Sequence, residues 1–472
     1  MTDKIEVKDV TPEGTGVQEY SMYVAPDKIY IRRIKGWFRN LRFAGVLYLF
    51  TLYFGIVWLQ VGERQAVLFD LGRRQFHIFN VTFWPQDFFL LSFALIICAF
   101  GLFFITVFAG RVWCGYTCPQ SVWTWIFVFI EEKTEGKRNA RKKLDKQPIT
   151  ANKALRKAIK HLGWLLVALV TAVTFVGYFV PIRELIPSLL TFNVGGWALF
   201  WVGFFTLATY GNAGWMREQV CIYMCPYARF QAAMFDQDTL IVSYDAARGE
   251  PRGARKKDAD YQAAGLGDCI DCELCVQVCP TGIDIRDGLQ YECISCAACI
   301  DACDSVMEQM NYPKGLVRYT TEHNLAGQKT RILRPRLIGY GLVLVTMFVL
   351  MAVFITARVP AELDVIRDRG ALHRITPYGT VENSYTLRLM NKGQQDQVFT
   401  LNVNGDIALQ LISPERIHVA AGESVNVPVR VETDPDNLTR PSIDIFFAAT
   451  AVDNPELYVS KESRFFGPSS FR

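Results

Sequence analysis

Cysteines with a repeated spacing are the residues of this chain best suited to redox chemistry. Eight of the 13 cysteines form two runs, Cys269-x2-Cys272-x2-Cys275-x3-Cys279-Pro280 and Cys293-x2-Cys296-x2-Cys299-x3-Cys303. Bacterial ferredoxins bind two [4Fe–4S] clusters with this spacing, and the fourth cysteine of each run ligates the other cluster. The pattern therefore assigns Cys269, Cys272, Cys275 and Cys303 to one cluster, and Cys279, Cys293, Cys296 and Cys299 to the other.

Two other interpretations of these eight cysteines are a pair of zinc knuckles and a disulfide framework. Zinc sites rarely need three cysteines at positions 0, 3 and 6, and here the whole run is duplicated. The second run ends in Cys303-Asp304 where the first ends in Cys279-Pro280, a difference that removes no ligand. We therefore predict two [4Fe–4S] clusters that move electrons one at a time.

Four of the other five cysteines form a second repeated motif. The sequence C-G-Y-T-C-P spans 114–119 and C-I-Y-M-C-P spans 221–226, and an arginine, Arg111 or Arg217, precedes each. If each motif is helical, its two thiols lie on one face, so two packed motifs would bring four thiols together. Four soft thiolates suit Cu(I), zinc or an iron–sulfur centre. A redox-active dithiol and buried packing residues at helix ends are the alternatives.

Long apolar segments must position both sets of cysteines. The composition is 51% hydrophobic with a mean hydropathy of +0.15, and the apolar residues are concentrated in five uncharged segments, at 43–61, 88–110, 162–180, 195–210 and 337–357. A bilayer core requires about 20 apolar helical residues. Five transmembrane helices are predicted, and the fourth segment is the shortest.

The distribution of lysine and arginine predicts how these helices are oriented. Basic residues are abundant before the first segment and in the stretches 131–160 and 248–257, whereas 62–87 and 181–194 are poor in positive charge. Because positively charged loops stay in the cytoplasm, the N-terminus and the ferredoxin module are predicted to be cytoplasmic and the C-terminus periplasmic. A nucleic-acid role for the basic stretch is disfavoured beside a membrane helix. The polar first ~40 residues predict no cleavable signal peptide.

Histidine usage narrows the class of electron carrier. A membrane b-type haem would need paired axial ligands within the spans, but His161, at the edge of the third segment, is the single candidate among five histidines. No Gly-rich nucleotide-binding motif is convincing. Electrons should therefore come from another protein or from a quinol.

The C-terminal part of the chain has the pattern of a β-sandwich. Alternating segments at 384–390, 397–403, 424–431 and 443–449 are separated by turn residues, and no cysteine follows Ala361. About 105 residues arranged in this way predict an immunoglobulin-like fold. The region holds no catalytic motif, so we expect a docking or stabilising module.

The predicted protein is thus a multi-domain membrane protein with five transmembrane α-helices, a bacterial-type 2[4Fe–4S] ferredoxin module and a C-terminal all-β immunoglobulin-like sandwich. Its predicted regions are a cytoplasmic tail (1–42), a four-helix membrane domain with both C-x3-C-P motifs (43–215), a ferredoxin domain (216–335), a fifth transmembrane helix (336–358) and a periplasmic β domain (362–472).

This combination of features resembles the cytochrome c oxidase accessory proteins of the CcoG/FixG/RdxA family over essentially the whole chain. The resemblance is carried by the paired C-x3-C-P motifs, the eight-cysteine ferredoxin run, the β-rich tail and the segment from Lys28 to Arg39 that leads into the first span. The ferredoxin run is generic, whereas the two C-x3-C-P motifs combined with the tail are far more specific.

The resemblance implies a bacterial inner-membrane protein that helps to build the copper centre of cbb3-type oxidases by reducing Cu(II) to Cu(I). It implies that copper meets Cys114, Cys118, Cys221 and Cys225 as substrate or transient ligand, and that copper chaperones and oxidase assembly factors are partners. The electron donor is not specified. Two alternative hypotheses are a quinol-linked conduit to a periplasmic reductase and a non-catalytic assembly scaffold.

Overall fold

The computed structural model describes residues 28–257, 260–357, 359–368, 370–393 and 395–468. Residues 1–27 of the predicted N-terminal tail, and Arg358 at the end of the predicted fifth span, lie outside this part of the chain. Fourteen α-helices occur in the described residues: α1 (Trp37–Ile56), α2 (Phe88–Ala109), α3 (Val112–Tyr116), α4 (Pro119–Glu135), α5 (Arg138–Lys146), α6 (Ala151–Val176), α7 (Ile182–Leu190), α8 (Gly196–Tyr210), α9 (Pro226–Met234), α10 (Ala246–Gly249), α11 (Leu274–Gln277), α12 (Ala298–Met310), α13 (Glu322–Leu325) and α14 (Pro335–Thr356).

The described residues also contain sixteen β-strands. They are β1 (Gln60–Val61), β2 (Arg64–Gln65), β3 (Val67–Asp70), β4 (Gln75–Ile78), β5 (Val81–Phe83), β6 (Ile241–Tyr244), β7 (Val317–Thr320), β8 (Ala361–Arg367), β9 (Arg374–Ile375), β10 (Val381–Asn391), β11 (Gln397–Gly405), β12 (Gln410–Ile412), β13 (Ile417–Val419), β14 (Ser424–Thr433), β15 (Ser442–Ala451) and β16 (Tyr458–Phe466).

Three helices in the described residues are long and apolar enough to cross a membrane, namely α2, α6 and α14. They correspond to the second, third and fifth predicted spans. Helix α1 begins at Trp37, six residues earlier than the predicted first span, and therefore includes Arg39 and Arg42. Helix α8 has 15 residues, fewer than the ~20 that a bilayer core requires. The first and fourth spans stay predictions.

The ferredoxin module is built on a two-stranded antiparallel sheet of β6 and β7, with α12 packed against it. Its core contains Val242, Ile300, Met307 and Leu316, each at most 3% exposed. The first cysteine run contains α11, and the second run ends within α12. A small apolar core therefore holds loops that have little regular structure of their own.

Helix α1 begins on the ferredoxin module. The backbone amides of Phe38 and Arg39 have no acceptor within the helix. They donate to the two carboxylate oxygens of Asp301 on α12, at 3.1 and 2.7 Å. A side chain in place of Gly36 would meet the Asp301 carboxylate at 2.2 Å. Asp301 therefore caps a helix in another part of the fold, and Gly36 makes the close approach possible.

The C-terminal region is a sandwich of two antiparallel sheets, as predicted. The strand orders are β12-β14-β10-β8, with β9 beside β10, and β13-β11-β15-β16. Along β10 the buried residues Tyr385, Leu387 and Leu389 alternate with the partly exposed Thr386 and Arg388, the period of two expected for a strand with one packed face. All four predicted strand segments lie inside observed strands.

The β-sandwich contacts the small strands that follow α1. The Lys392 ammonium lies 3.4 Å from Asp87, just before α2, and Gln75 on β4 donates to the carbonyl of Gly422. The loops before α2 and the sandwich therefore lie at one end of the helices, whereas the N-terminus of α1 contacts the ferredoxin module.

Candidate electron-transfer site

Two cavities in the ferredoxin module divide the eight run cysteines in the way the crossing rule predicts. One cavity, of about 370 Å³, is lined by Cys269, Cys272, Cys275 and Cys303. The other, of about 350 Å³, is lined by Cys279, Cys293, Cys296 and Cys299, and Cys275 reaches its edge. The fourth cysteine of each run thus faces the cavity of the other run.

The backbone of both runs adopts the same unusual conformation around its second cysteine. Asp271 and Glu273 flank Cys272 with φ of 52° and 55°, and Ser295 and Ala297 flank Cys296 with φ of 52° and 57°. A left-handed residue costs about 1–2 kcal/mol when it is not glycine. Alternating right- and left-handed residues form concave sites of N–H groups that bind anionic iron–sulfur clusters. Because this strain occurs at the same positions of both runs, the backbone fits one cluster in each cavity.

The thiols in these cavities are also suited to metal binding. Burial raises the pKa of Cys275, Cys293 and Cys303 to about 12, so these thiols are neutral at pH 7 in the absence of metal. Metal binding releases such protons, and the apolar surroundings then exclude water from the sulfur ligands. The residues therefore fit two [4Fe–4S] clusters, whose chemistry when bound is one-electron transfer.

The first C-x3-C-P motif is not one continuous helix. Cys114 lies in α3, which ends at Tyr116, and Cys118 is the residue that precedes α4. The condition that the motif is helical throughout is not met, because Pro119 starts a new helix at its first position, where proline needs no N–H partner. Burial raises the pKa of Cys118, and the amides of Gln120 and Ser121 oppose that rise.

The second motif has the same break but a different helix type. Cys221 lies in a π-helix (Val220–Met224), and Cys225 precedes Pro226 and α9. Another π-helix, Gly211–Met216, comes before it, and Arg217 between the two has a φ of 43°. π-Helices are rare and are frequently found at functional sites. A new helix starts at the proline of both motifs.

The four thiols are neighbours, but they are not arranged around a single metal position. Burial and then the charges of Cys118, Cys114 and Cys225 raise the pKa of Cys221 to about 12. Burial and the charge of Cys118 raise the pKa of Cys114 to about 11. Within the described residues, no three histidine, cysteine, aspartate or glutamate side chains are close enough to hold a single metal ion.

Helix α9 starts at Pro226, the last residue of the second motif, and it connects the two motifs. The Cys114 thiol lies 3.5 Å from the Gln231 amide oxygen, and Gln231 is fully buried on α9. The guanidinium of Arg111 donates to the carbonyl of Ala228 on the same helix at 2.7 Å. The two motifs therefore form one unit through α9.

The first motif packs directly against the loop of the second cluster cavity. A Cβ on Gly115 would lie 2.7 Å from the Cα of Cys296 and 2.8 Å from the carbonyl oxygen of Ile294. Both contacts are with backbone, which cannot move aside as a flexible side chain would. Gly115 therefore allows the thiol motif and the cluster loop to touch.

Hydrogen bonds reinforce this contact. The Tyr319 hydroxyl on β7 donates to the carbonyl of Ser295 at 2.5 Å and lies 3.2 Å from the Tyr116 hydroxyl of the motif. Arg111 donates to the carbonyl of Tyr291, two residues before Cys293, and its guanidinium lies 4.8 Å from the Tyr291 ring centroid. The first motif is thus attached to the second cysteine run at several points.

The second motif is attached instead to a buried charge cluster around Glu131 on α4. The Glu131 carboxylate, which is fully buried, lies 3.0 Å from Arg217, 3.2 Å from Arg141 and 2.9 Å from Lys28. Burial alone would raise the pKa of Glu131, but the charges of Arg217, Lys28 and Arg141 lower it to about 2. Arg217, the left-handed residue four positions before Cys221, is therefore held by the Glu131 carboxylate.

Sequence reasoning missed the residues that join these parts. The stretch 131–160 was interpreted through its excess of positive charge, whereas its buried acids are what organise it. Gly115 had a weak signal, since a glycine inside a cysteine motif suggests a close backbone approach. Asp301 and Tyr319 had none, because their partners are distant in sequence.

Comparisons with known proteins agree with this architecture. Residues 216–322 match the family model described as a 4Fe-4S dicluster domain, and residues 351–468 match the model for the immunoglobulin-like fold at the C-terminus of FixG. A crystal structure of a FixG-related protein from Vibrio parahaemolyticus is 38% identical and covers 23% of this chain and 95% of that one, with a TM-score of 0.21.

Two relatives match most of the chain. The nitrogen fixation protein FixG of Rhizobium meliloti is 36% identical over 450 residues, covering 88% of this chain and 85% of that protein. Protein RdxA of Cereibacter sphaeroides is 37% identical over 422 residues, covering 86% and 87%. A 4Fe–4S domain, candidate membrane helices and this similarity together indicate a membrane protein that transfers electrons. The chain belongs to the FixG/RdxA family.

Proposed function

We propose that this protein carries electrons from two [4Fe–4S] clusters to the thiols of the C-x3-C-P motifs and there reduces Cu(II) to Cu(I). The observation that carries the proposal is the contact between Gly115 and the backbone of Cys296. Because the thiol motif touches the loop of one cluster cavity, an electron can pass between them without a mobile carrier.

The order of the carriers follows from the same contact. The cavity lined by Cys279, Cys293, Cys296 and Cys299 is the one adjacent to the first motif. Electrons therefore enter at the cluster held by Cys269, Cys272, Cys275 and Cys303 and leave from the other. A cluster held by each set of four cysteines would supply one electron, and one electron converts one Cu(II) to Cu(I), so the fully reduced protein would reduce two copper ions.

The thiol site supplies the driving force for this step. Thiolates are soft ligands that favour Cu(I) over harder metal ions, so binding at Cys114, Cys118, Cys221 and Cys225 favours the reduced product. Because these four do not enclose one point, we propose that copper is held by a subset of them and passed on. This suits a substrate that must leave.

We further propose the arrangement in the membrane. Five spans place the N-terminus and the ferredoxin module in the cytoplasm, where clusters are assembled, and the β-sandwich in the periplasm. Support comes from the basic residues before α1 and in 131–160, and from the positive-inside rule. Copper chaperones and assembly factors of cbb3-type oxidases would be the partners that collect Cu(I).

Replacement of Cys221 and Cys225 by serine tests the proposal. Cupric reduction by the reduced protein should be abolished while the 4Fe–4S absorbance is unchanged, because neither residue lines a cluster cavity. The matched control is Cys98→Ser, which alters an exposed cysteine on α2 and should leave the rate unchanged. A double variant that reduces Cu(II) at the full rate would refute the copper assignment.

A further inference from the structure

An open cleft lies beside the electron-transfer site, and Gly115 and Cys221 of the thiol motifs form part of its lining. Its volume is about 1220 Å³ when the solvent at its open side is included, and it is bordered by the segment before α1, by α1, by α4 and by the ferredoxin loop that contains Pro280 and Thr281. Its walls are of two kinds, one carrying arginines and the other apolar. Such a combination is suited to a ligand with a charged and an apolar part.

The basic wall has more positive charge than its surroundings neutralise. Arg33, Arg39 and Arg42 line the cleft together, and Arg33 is 3.8 Å from Glu132. In the described part of the chain, Arg39 and Arg42 have no carboxylate within ion-pair distance, and the buried Nε of Arg39 has no hydrogen-bond partner. An unpaired buried donor is costly, so an anion placed here would be strongly favoured.

The apolar wall leads from the arginines towards the middle of α1 and α4. It contains Val46, Trp125, Val128 and Phe129. The Phe43 ring packs 6.0 Å from that of Trp125, and Phe43 and Leu47 are exposed on the outside of α1. The cleft therefore opens where the exposed apolar surface of α1 begins, which is the level of a lipid headgroup.

We propose that this cleft binds an anionic phospholipid, with its phosphate group on Arg39 and Arg42 and an acyl chain along Val46 and Trp125. Basic pockets between membrane helices recognise anionic headgroups in this way. A neutral quinol would fill the apolar wall but leave both guanidiniums unneutralised. Free phosphate would satisfy the guanidiniums but leave the apolar wall exposed.

The bound lipid would also act on the ferredoxin module. Arg42 donates to the carbonyl of Cys296 at 3.4 Å, and Thr281, two residues after Cys279, lines the cleft. A lipid phosphate on Arg42 thus joins the membrane surface to the loop of the second cluster cavity. This inference is independent of copper as the substrate.

Binding of phosphatidylglycerol to the full-length, cluster-loaded protein in nanodiscs tests the proposal, with bound lipid counted by native mass spectrometry. Arg39→Gln should weaken binding about fivefold, since it removes one of the two guanidiniums that hold the phosphate, and a basic residue in contact with an anionic headgroup contributes about that factor. The matched control is Lys35→Gln, an exposed basic residue four positions earlier that does not line the cleft. It should change binding less than twofold.

A second measurement does not depend on the arginine variant folding. Brominated phosphatidylglycerol should quench part of the tryptophan fluorescence of the wild-type protein, and Trp125→Phe should remove that part. Phosphatidylcholine and inorganic phosphate at equal concentration should not compete.

Four results would overturn the inference. They are equal binding of phosphatidylcholine, full competition by inorganic phosphate, displacement of the lipid by a quinone analogue, and lipid binding that appears only after deletion of residues 2–27. The last result would show that the N-terminal segment, which has six acidic and two basic residues before Lys28, occupies the cleft in place of a lipid.

Discussion

The two C-x3-C-P motifs are nearly the same in sequence but are held in different ways. The first is flanked by α-helices, and Gly115 packs it against the loop that carries Cys296. The second lies in a π-helix after a left-handed arginine, and a buried carboxylate on α4 holds that arginine. Arg111 and Arg217 precede the first cysteine of their motifs by three and four residues. Arg111 contacts carbonyls near the cluster loop and on α9, whereas Arg217 contacts Glu131.

A repeated motif therefore need not have a repeated role. The first motif is suited to receive electrons because it touches a cluster loop through rigid backbone. The second depends on a buried charge cluster that joins α4, α5 and the segment before α1. The first three predictions below each act on one motif and should leave the other intact, and the fourth acts on the start of α1.

The largest effect is expected at the second motif. Glu131→Gln leaves the buried Arg141 and Arg217 without a neutralising charge, and loss of one partner from a buried ion pair costs about 3–5 kcal/mol. The thermal midpoint in detergent should fall steeply and copper binding by the second motif should weaken. Glu132→Gln, on the same helix but about one-fifth exposed, is the control. Equal midpoints for the two variants would contradict the proposed role of Glu131.

The stability of the protein should depend on pH through the Glu131 carboxylate. The folded pKa of Glu131 is about 2, below its ordinary value, so its contribution is complete above about pH 4.5 and is lost as the pH falls towards 2. The difference in thermal midpoint between wild type and Glu131→Gln should therefore shrink between pH 6 and pH 3. A difference that grows on acidification would show that the carboxylate is not charged in the folded protein.

A smaller effect is expected at the first motif. Gly115→Ala places a methyl group against backbone at 2.7 Å, and overpacking of this kind costs about 1–3 kcal/mol. The rate of copper-dependent cluster oxidation should fall, while Cu(I) binding by the thiols is retained. The control is Gly203→Ala on α8, where the added methyl group meets nothing within 4 Å. An unchanged oxidation rate in Gly115→Ala would separate the motif from the clusters.

The smallest effect is expected where α1 begins. Asp301→Ala removes the acceptor of the Phe38 and Arg39 amides, and loss of such a cap costs about 0.5–2 kcal/mol. Hydrogen exchange at these amides should quicken, with the clusters retained. Glu308→Ala, an exposed position on the same helix, should leave the exchange unchanged. Unchanged exchange in Asp301→Ala would show that the cap does not hold α1.

Much of the fold follows from the sequence because its signals are local. The alternation around Tyr385 defines β10, and Pro119 and Pro226 define where α4 and α9 start. The π-helices could not be predicted, because they depend on how Arg217 is held by Glu131 from another helix. The same holds for Gly115, whose importance appears when Cys296 is placed beside it.

The most direct test of the account is an anaerobic titration of the fully reduced protein with Cu(II), following cluster absorbance and protein-bound Cu(I) together. We predict that two equivalents of Cu(II) oxidise both clusters and that the Cu(I) formed is held by the C-x3-C-P thiols. Reduced clusters that stay reduced in the presence of Cu(II), together with oxidised clusters that a quinol reduces, would contradict the account and favour a quinol-linked conduit.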